Sequence, residues 1–169
     1  NITTLAGYKR VRMGLVRSFQ IPKPFVSMTV VENLRIPLEY AAHYNSHHGL
    51  DIRSEAMEIL RLIGLDEKAD LRPAELTQID MRRLELARAL AANPKLLILD
   101  ECMAGLSSAE VDEIIEILIR LNERGLTIIM IEHIMRAVMG FSERISVLDA
   151  GKKIAEGIPD EIINNEEVE

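Results

Sequence analysis

Apolar and polar positions along the chain alternate with two periods, and each period marks a class of element. A helical period appears first in MTVVENL, where Thr29 and Glu32 have capping-box spacing and Met28 precedes them as a candidate staple. A helix is predicted from Val30, strained or kinked at Pro37, with a polar break over residues 43–51. Arg53 to Ile63 places Ala56, Ile59, Leu60 and Ile63 on one face and stops at Gly64. Leu76 to Asp80 opens a third helix, with Thr77 and Asp80 again in capping-box spacing, and RRLELARALAA carries it towards Pro94. Ser107 and Glu110 repeat that spacing before Val111, Ile114, Ile115, Leu118 and Leu121, and Gly125 ends the run. Two continuous apolar runs, Leu96 to Glu101 (LLILDE) and Leu126 to Ile131 (LTIIMI), are short and bounded by turn signals, so they read as buried strands. Gly14 to Phe19 is predicted as a short strand leading into Gln20, followed by an extended loop at Pro22 and Pro24. Near the other end, a short helix precedes ISVLDAGKKIAEG, a hairpin turning at Ala150-Gly151, and Pro159 begins a last short helix.

Two buried strands joined by a helix make a parallel βαβ unit, which places the chain in the α/β class. Residues 29–75 read as a helical insertion in that core. The two strands are apolar on both faces, so both faces need covering, and the isolated chain is expected to expose an apolar surface. Asp100 and Glu101 close the first strand, and Glu132 and His133 follow the second. Ligands bind at the carboxyl ends of strands in open α/β sheets, and two carboxylates there call for a cation such as magnesium on a nucleotide. On the dipeptide alone, a strand that ends in solvent explains the two acids equally well.

Composition narrows the classes. The 169 residues fit one domain or a large piece of one, and an apolar content of 48% supplies a core. A formal charge of −7 argues against nucleic acid as the main partner, since phosphate binding needs a basic face. The single Cys102 excludes an internal disulfide and fits a reducing compartment. No apolar run approaches the length of a membrane span, and no stretch reads as a signal peptide. The chain opens on Asn1 rather than Met, consistent with a start that is not native.

The order of elements carries more than any one of them. Gln20, a helical insert, LTQIDMRRLELARAL, LLILDE, AGLSS and IEH follow one another in a sequence that resembles the nucleotide-binding subunits of ABC transporters over nearly the whole chain. RMGLVRSFQ, MTVVENL, IEHIMRAVMG and GIPDEIINNEEV are similar to the ATPase subunits of branched-chain amino acid importers, with relatives for amides or urea sharing the same text. The resemblance implies an incomplete P-loop NTPase fold, a parallel-sheet core with a helical insert and a C-terminal hairpin and helix. It implies three segments: residues 1–28, the end of an N-terminal core with the Q-loop; 29–92, the helical subdomain with the signature; and 93–169, the α/β core with the C-terminal region. Gln20 matches the Q-loop, touching Mg²⁺ and water. Leu76, Thr77, Gln78, Ile79 and Asp80 occupy the nucleotide-binding signature position. Asp100 matches the Walker B aspartate, a metal ligand. Glu101 matches the catalytic glutamate, Ser107 lies in the D-loop, and His133 is the switch histidine. The implied cofactors are ATP and Mg²⁺. The implied partners are a second ATP-binding subunit, identical or different, and transmembrane permease subunits, with the chain peripheral on the cytoplasmic face of the membrane.

The chain also departs from that pattern. No GxxxxGK(S/T) occurs in it, so the segment is expected to be cut at both ends and inactive in ATP hydrolysis by itself. The signature serine is Thr77, and its two glycines fall at Gln78 and Ile79, where the branched Ile79 is expected to obstruct the approach of backbone to phosphate. Ser107 replaces the D-loop aspartate, and Cys102 replaces a proline. These changes keep two other readings open: a degenerate, non-hydrolysing partner of an intact ATPase, and a soluble ABC protein of repair or translation. His43, His47 and His48 read as a solvated loop rather than a metal site. Arg82, Arg83 and Arg88 read as structural and surface groups, Cys102 as a small buried filler, and the eight methionines as mostly core packing.

Overall fold

Alternating burial along three short strands decides where the core lies. The computed structural model describes residues 1–19, 21–45 and 51–168. Its elements run α1 (Gly7–Arg12), β1 (Leu15–Arg17), α2 (Val30–Asn45), α3 (Ile52–Ile63), α4 (Gln78–Ala91), β2 (Leu96–Asp100), α5 (Ser108–Glu123), β3 (Thr127–Ile131), α6 (Met135–Phe141), β4 (Ile145–Asp149), β5 (Lys152–Gly157) and α7 (Pro159–Ile163). They form two units, Asn1–Ile131 and Glu132–Glu169.

In the first unit the strands make a parallel sheet in the order β1-β2-β3, with α5 as the predicted crossover between β2 and β3. Arg17 lies opposite Ile98, Ile98 opposite Ile129, and Asp100 opposite Ile131. Side chains alternate between faces along a strand. One face therefore carries Val16, Leu97 and Leu99, all buried. The other carries Arg17, Ile98, Asp100, Thr127, Ile129 and Ile131, and there Ile129 and Ile131 are 47% and 50% exposed. The expected apolar surface is present on that face.

The helical insertion follows its caps. The Thr29 hydroxyl accepts from the Glu32 N–H at 3.3 Å while the Glu32 carboxylate accepts from the Thr29 N–H at 2.8 Å. Beyond this start, α2 runs through Pro37 and as far as Asn45, past the residue 43 at which the polar break was expected. Val30, Leu34 and Leu38 are buried on its inner side, and that packing outweighs the hydrogen bond lost at Pro37. α3 ends as predicted, with Gly64 in the left-handed region at φ 72°. His43 lies within α2, and His47 and His48 fall outside the described residues.

Two buried polar groups fix this part of the chain. Asn33, fully buried on α2, accepts from the Phe25 N–H at 2.8 Å and donates to the Phe25 and Thr29 carbonyls at 3.1 and 2.9 Å. It thereby ties the proline-containing loop to the helix that follows. At the start of α4, the Asp80 carboxylate accepts from the Thr77 N–H at 3.1 Å, the Thr77 hydroxyl at 2.6 Å and Lys68 Nζ at 2.6 Å. Burial alone would raise the Asp80 pKa. The bonds from Lys68 and Thr77, with the charge of Lys68, outweigh it and hold the carboxyl below the ordinary value.

In the second unit β4 and β5 pair antiparallel around Ala150 (φ 45°) and Gly151 (φ 80°), two positive φ angles that turn a hairpin tightly. Ala155 and Ile162 are its buried apolar residues beside Ala137. The methionines are not mostly core: Met103 is buried, while Met13 and Met135 are exposed. Cys102 is half-buried rather than buried.

Two predictions concern these anchors. Asn33→Ala strands the Phe25 and Thr29 backbone groups, and the urea unfolding free energy is expected to fall by about 1–3 kcal/mol. An unchanged midpoint would show that the loop does not depend on Asn33. For Asp80 the folded pKa is depressed, so its stabilisation is fully present above the unfolded carboxylate pKa of about 4 and is lost as pH falls through the lower folded value. Asp80→Asn should therefore be less stable than the parent chain at pH 7, with the gap closing as pH drops below about 4. Urea titrations at several pH values would read this, and a gap independent of pH would contradict it.

Candidate functional site

The sheet register brings one carboxylate to the open face. Leu97 and Leu99 point into the core, so Ile98 and Asp100 point the other way, at the carboxyl end of β2. Arg17 stands opposite Ile98 on the same face, and its guanidinium reaches along the sheet to an ion pair with Asp100. Ser18, buried just after β1, donates its N–H to the Ile98 carbonyl at 2.9 Å, and its hydroxyl accepts the Asp100 N–H at 3.4 Å. Asp100 is thus fixed from both its backbone and its side chain.

Glu101 leaves the strand abruptly. Its N–H still donates to the Ile131 carbonyl at 2.9 Å, yet its φ is 47°, a left-handed value that costs a non-glycine residue about 1–2 kcal/mol. Its carbonyl accepts from the Ala104 N–H at 3.3 Å, closing a tight turn over residues 101–104. Strain at the residue after a strand end, next to a fixed carboxylate, marks a candidate site.

The start of α4 lies against that turn. Arg82 Nη2 donates to the Ala104 carbonyl at 2.9 Å. The Gln78 amide lies over Gly105, which has φ +82°, and a Cβ built at Gly105 would stand 2.4 Å from Gln78 Nε2. Gln78 is exposed, Leu76 is half-buried, and Thr77 and Asp80 are occupied with the helix cap. Ile79 is 9% exposed, with its side chain turned into the chain. Its branched side chain packs inward, which speaks against the obstruction expected of it. Ser107 caps α5, its N–H and hydroxyl both donating to the Glu110 carboxylate at 2.8 and 2.7 Å. The Ser107 amide and hydroxyl hold the Glu110 pKa below the ordinary value.

Asp100, Glu101, Gln78 and the 101–105 turn are thus neighbours, bridged by Arg82. Gln20 lies outside the described residues. His133 is exposed and is the second residue of the other unit, two positions after β3. Among the described residues, no group of three His, Cys, Asp or Glu is placed to hold a metal by itself. Sequence reasoning missed the Arg17–Asp100 pair, although the parity of Arg17 with Ile98 and Asp100 could have suggested it once the strands were set in register. It also missed a buried pair on α4, Glu85 and Arg88, since Arg88 had been read as a structural or surface group.

Known proteins are similar to this chain in sequence and fold. The profile of the ABC transporter family matches residues 3–104. The high-affinity branched-chain amino acid transport ATP-binding protein LivG of Salmonella typhimurium is 40% identical over 97% of this chain and 69% of its own length. The corresponding protein BraF of Pseudomonas aeruginosa is 36% identical over 99% of this chain and 70% of its own. An ATP-binding cassette of an ABC transporter, solved in its ADP conformation, superposes with a TM-score of 0.85 at 28% identity, covering 99% of this chain and 71% of the cassette. A second cassette, dimeric in a post-hydrolysis state with ADP and Pi, superposes with a TM-score of 0.77 at 25% identity, covering 92% of this chain and 68% of its own. With its strand-end carboxylates, its helical insertion and more than half its length inside the family profile, the chain belongs to the ABC transporter family.

Proposed function

We propose that this chain is part of the ATP-hydrolysing subunit of an importer for branched-chain amino acids. The observation that carries the reading is the contact of α4 with the turn that follows Asp100 and the strained Glu101, made by Arg82 at Ala104 and Gln78 at Gly105, in a chain 40% identical to LivG. In this reading the subunit pairs with a second ATP-binding subunit, as the post-hydrolysis cassette does with its own copy, and sits on permease subunits at the cytoplasmic face. Among the described residues no helix is long and apolar enough to cross a membrane. Residues 29–92 act as the helical subdomain bearing the signature. Residues 1–28 and 93–169 belong to the nucleotide core. The chain contains no phosphate-binding loop motif, and it spans 69–70% of LivG and BraF.

Phosphoryl transfer to water is positioning and electrostatics rather than covalent chemistry by the protein. Glu101 polarises the attacking water as general base. By the family resemblance His133 would sense the γ-phosphate and Gln20 would contact Mg²⁺ and water, while Leu76 to Asp80 with Ser107 would face the nucleotide of the paired subunit. One carboxylate is a fitting partner for Mg²⁺, which binds through one or two carboxylates with phosphates and waters completing its shell. Asp100 and, by the resemblance, Gln20 would hold it, and the cation would neutralise charge on the phosphates. Arg17 already offers Asp100 a positive partner and keeps its carboxylate on the open face.

A second reading, the non-hydrolysing partner, drew its support from Gln78 and Ile79. The inward turn of Ile79 weakens it. Substitutions at Glu101 and Ile79 separate the readings. In the complete subunit assembled with its permease, Glu101→Gln should lower ATP turnover and uptake of labelled leucine by about 10²–10⁴-fold. These 169 residues alone should show no steady turnover. Unchanged turnover in Glu101→Gln would favour the partner reading. Ile79→Gly should not raise turnover, and it should cost at least about 2 kcal/mol of stability through the cavity it leaves. A faster, equally stable enzyme would restore the obstruction.

A further inference from the structure

The two halves of the Arg17–Asp100 ion pair are held very differently. Asp100 ends the central strand, with β1 on one side and β3 on the other, and its N–H donates to the Ser18 hydroxyl at 3.4 Å. Its side chain is 20% exposed. Ile131 lies directly opposite it, and Ile98 stands two residues before it on the same face. Neither isoleucine has a polar group to offer the carboxylate. Among the described residues its ion-pair partner is Arg17. The Arg17 side chain is 65% exposed and reaches Asp100 from the last residue of β1. A rigid, mostly buried carboxylate therefore faces a solvated cation on a long side chain.

That asymmetry makes the cation replaceable. A carboxylate withdrawn from water needs a positive partner. An exposed arginine supplies one, and it leaves easily, since a pair with one solvated partner contributes little to stability. Pinning a long side chain also costs rotamer freedom, which release returns. The pair is not needed to place Asp100, whose position is set by the burial of Leu97 and Leu99 and by the register with both neighbours. What it does set is the charge beside the carboxylate. Mg²⁺ binds through one or two carboxylates. With a guanidinium already on one oxygen, a divalent ion on either oxygen would stand a few ångströms from a like charge.

We propose that Arg17 is a positioning residue that acts as a placeholder cation. It holds the Asp100 carboxylate on the open face until Mg²⁺ arrives with nucleotide, and it must withdraw for the metal to bind. This rests on the proposed reading, in which Asp100 meets Mg²⁺. Arg17 and the metal then compete for one carboxylate, so the arginine raises the metal concentration at which the site fills.

Manganese tests the competition directly, since Mn²⁺ takes the same oxygen ligands as Mg²⁺ and broadens nearby amide resonances. The complete subunit with ADP is titrated with Mn²⁺, and the Ser18, Asp100 and Ile131 amides are followed. Half-broadening should come at an Mn²⁺ concentration about five-fold lower in Arg17→Met than in the parent, the upper end of what an exposed ion pair contributes. Arg17→Gln, equally neutral, should show the same shift. Arg17→Lys keeps a charge without the planar fork and should lie between. Asp100→Asn should lose the broadening. The urea midpoint of Arg17→Met should match the parent's, which separates competition from a structural role. An unchanged or higher Mn²⁺ requirement in the two neutral variants overturns the placeholder, as does a shift in Arg17→Met that Arg17→Gln does not share. Amides that stay sharp in the parent and in both neutral variants alike overturn the reading of Asp100 as a metal ligand, and the placeholder with it.

Discussion

The packing of Leu97 and Leu99 into the core is the constraint on which the site depends. Both are essentially inaccessible to solvent. Because a strand alternates its faces, that choice sends Ile98 and Asp100 to the open side. A shift of one residue would bury Asp100 beneath the helices and expose two leucines, a change that costs both a desolvated charge and lost apolar burial. The register with β1 then places Arg17 within reach of Asp100, and the register with β3 sets the Ile131 carbonyl to receive the Glu101 N–H. The ion-pair partner of Asp100 and the backbone bond of Glu101 follow from two leucines.

α4 translates that register to the helical insertion. Its first turn is held by Asp80, Thr77 and Lys68, so the helix starts at a defined residue and in a defined rotation. From that start, Arg82 falls beside Ala104, and Glu85 and Arg88 fall beside Phe19 and Lys23. The residues along one helix thus meet the chain after β2 and the chain after β1. A cap at one end fixes contacts two to three turns away because the helix between them has no soft dihedral to absorb a rotation.

Much of this was legible in the sequence, and for local reasons. Capping boxes at Thr29, Thr77 and Ser107, the stop at Gly64 and the short apolar runs of β2 and β3 depend on near neighbours in the chain, and each lies where the pattern put it. What escaped depends on distant partners. α1 has no buried residue to give it a period. The reach of α2 past Pro37 is set by the packing of Leu34 and Leu38 against the other helices. Glu85 sits among apolar residues and Arg88 carries a full charge. Nothing local says that Phe19 and Lys23 will close over them. For Ile79 the signal existed: it lies seven residues before Leu86, on the same helical face, and both are buried. Reading the position through its motif alone hid the phase of its helix.

That phase also shows how the start of α4 is built without glycine. A glycine is needed where backbone must come close or where φ is positive. Within this chain neither condition arises at Gln78 or Ile79, which have ordinary helical backbone and side chains that leave in different directions. Both conditions hold across the contact. Gly105 has φ +82°, and the space its Cβ would fill contains the Gln78 amide. The demand for a residue without a side chain therefore rests on the turn that faces the helix. Ile79 contributes burial to the core at the same time, and the carbonyl of Ala104 keeps its partner in Arg82. In this chain the joint between α4 and the Glu101 turn is made by one glycine and two polar side chains.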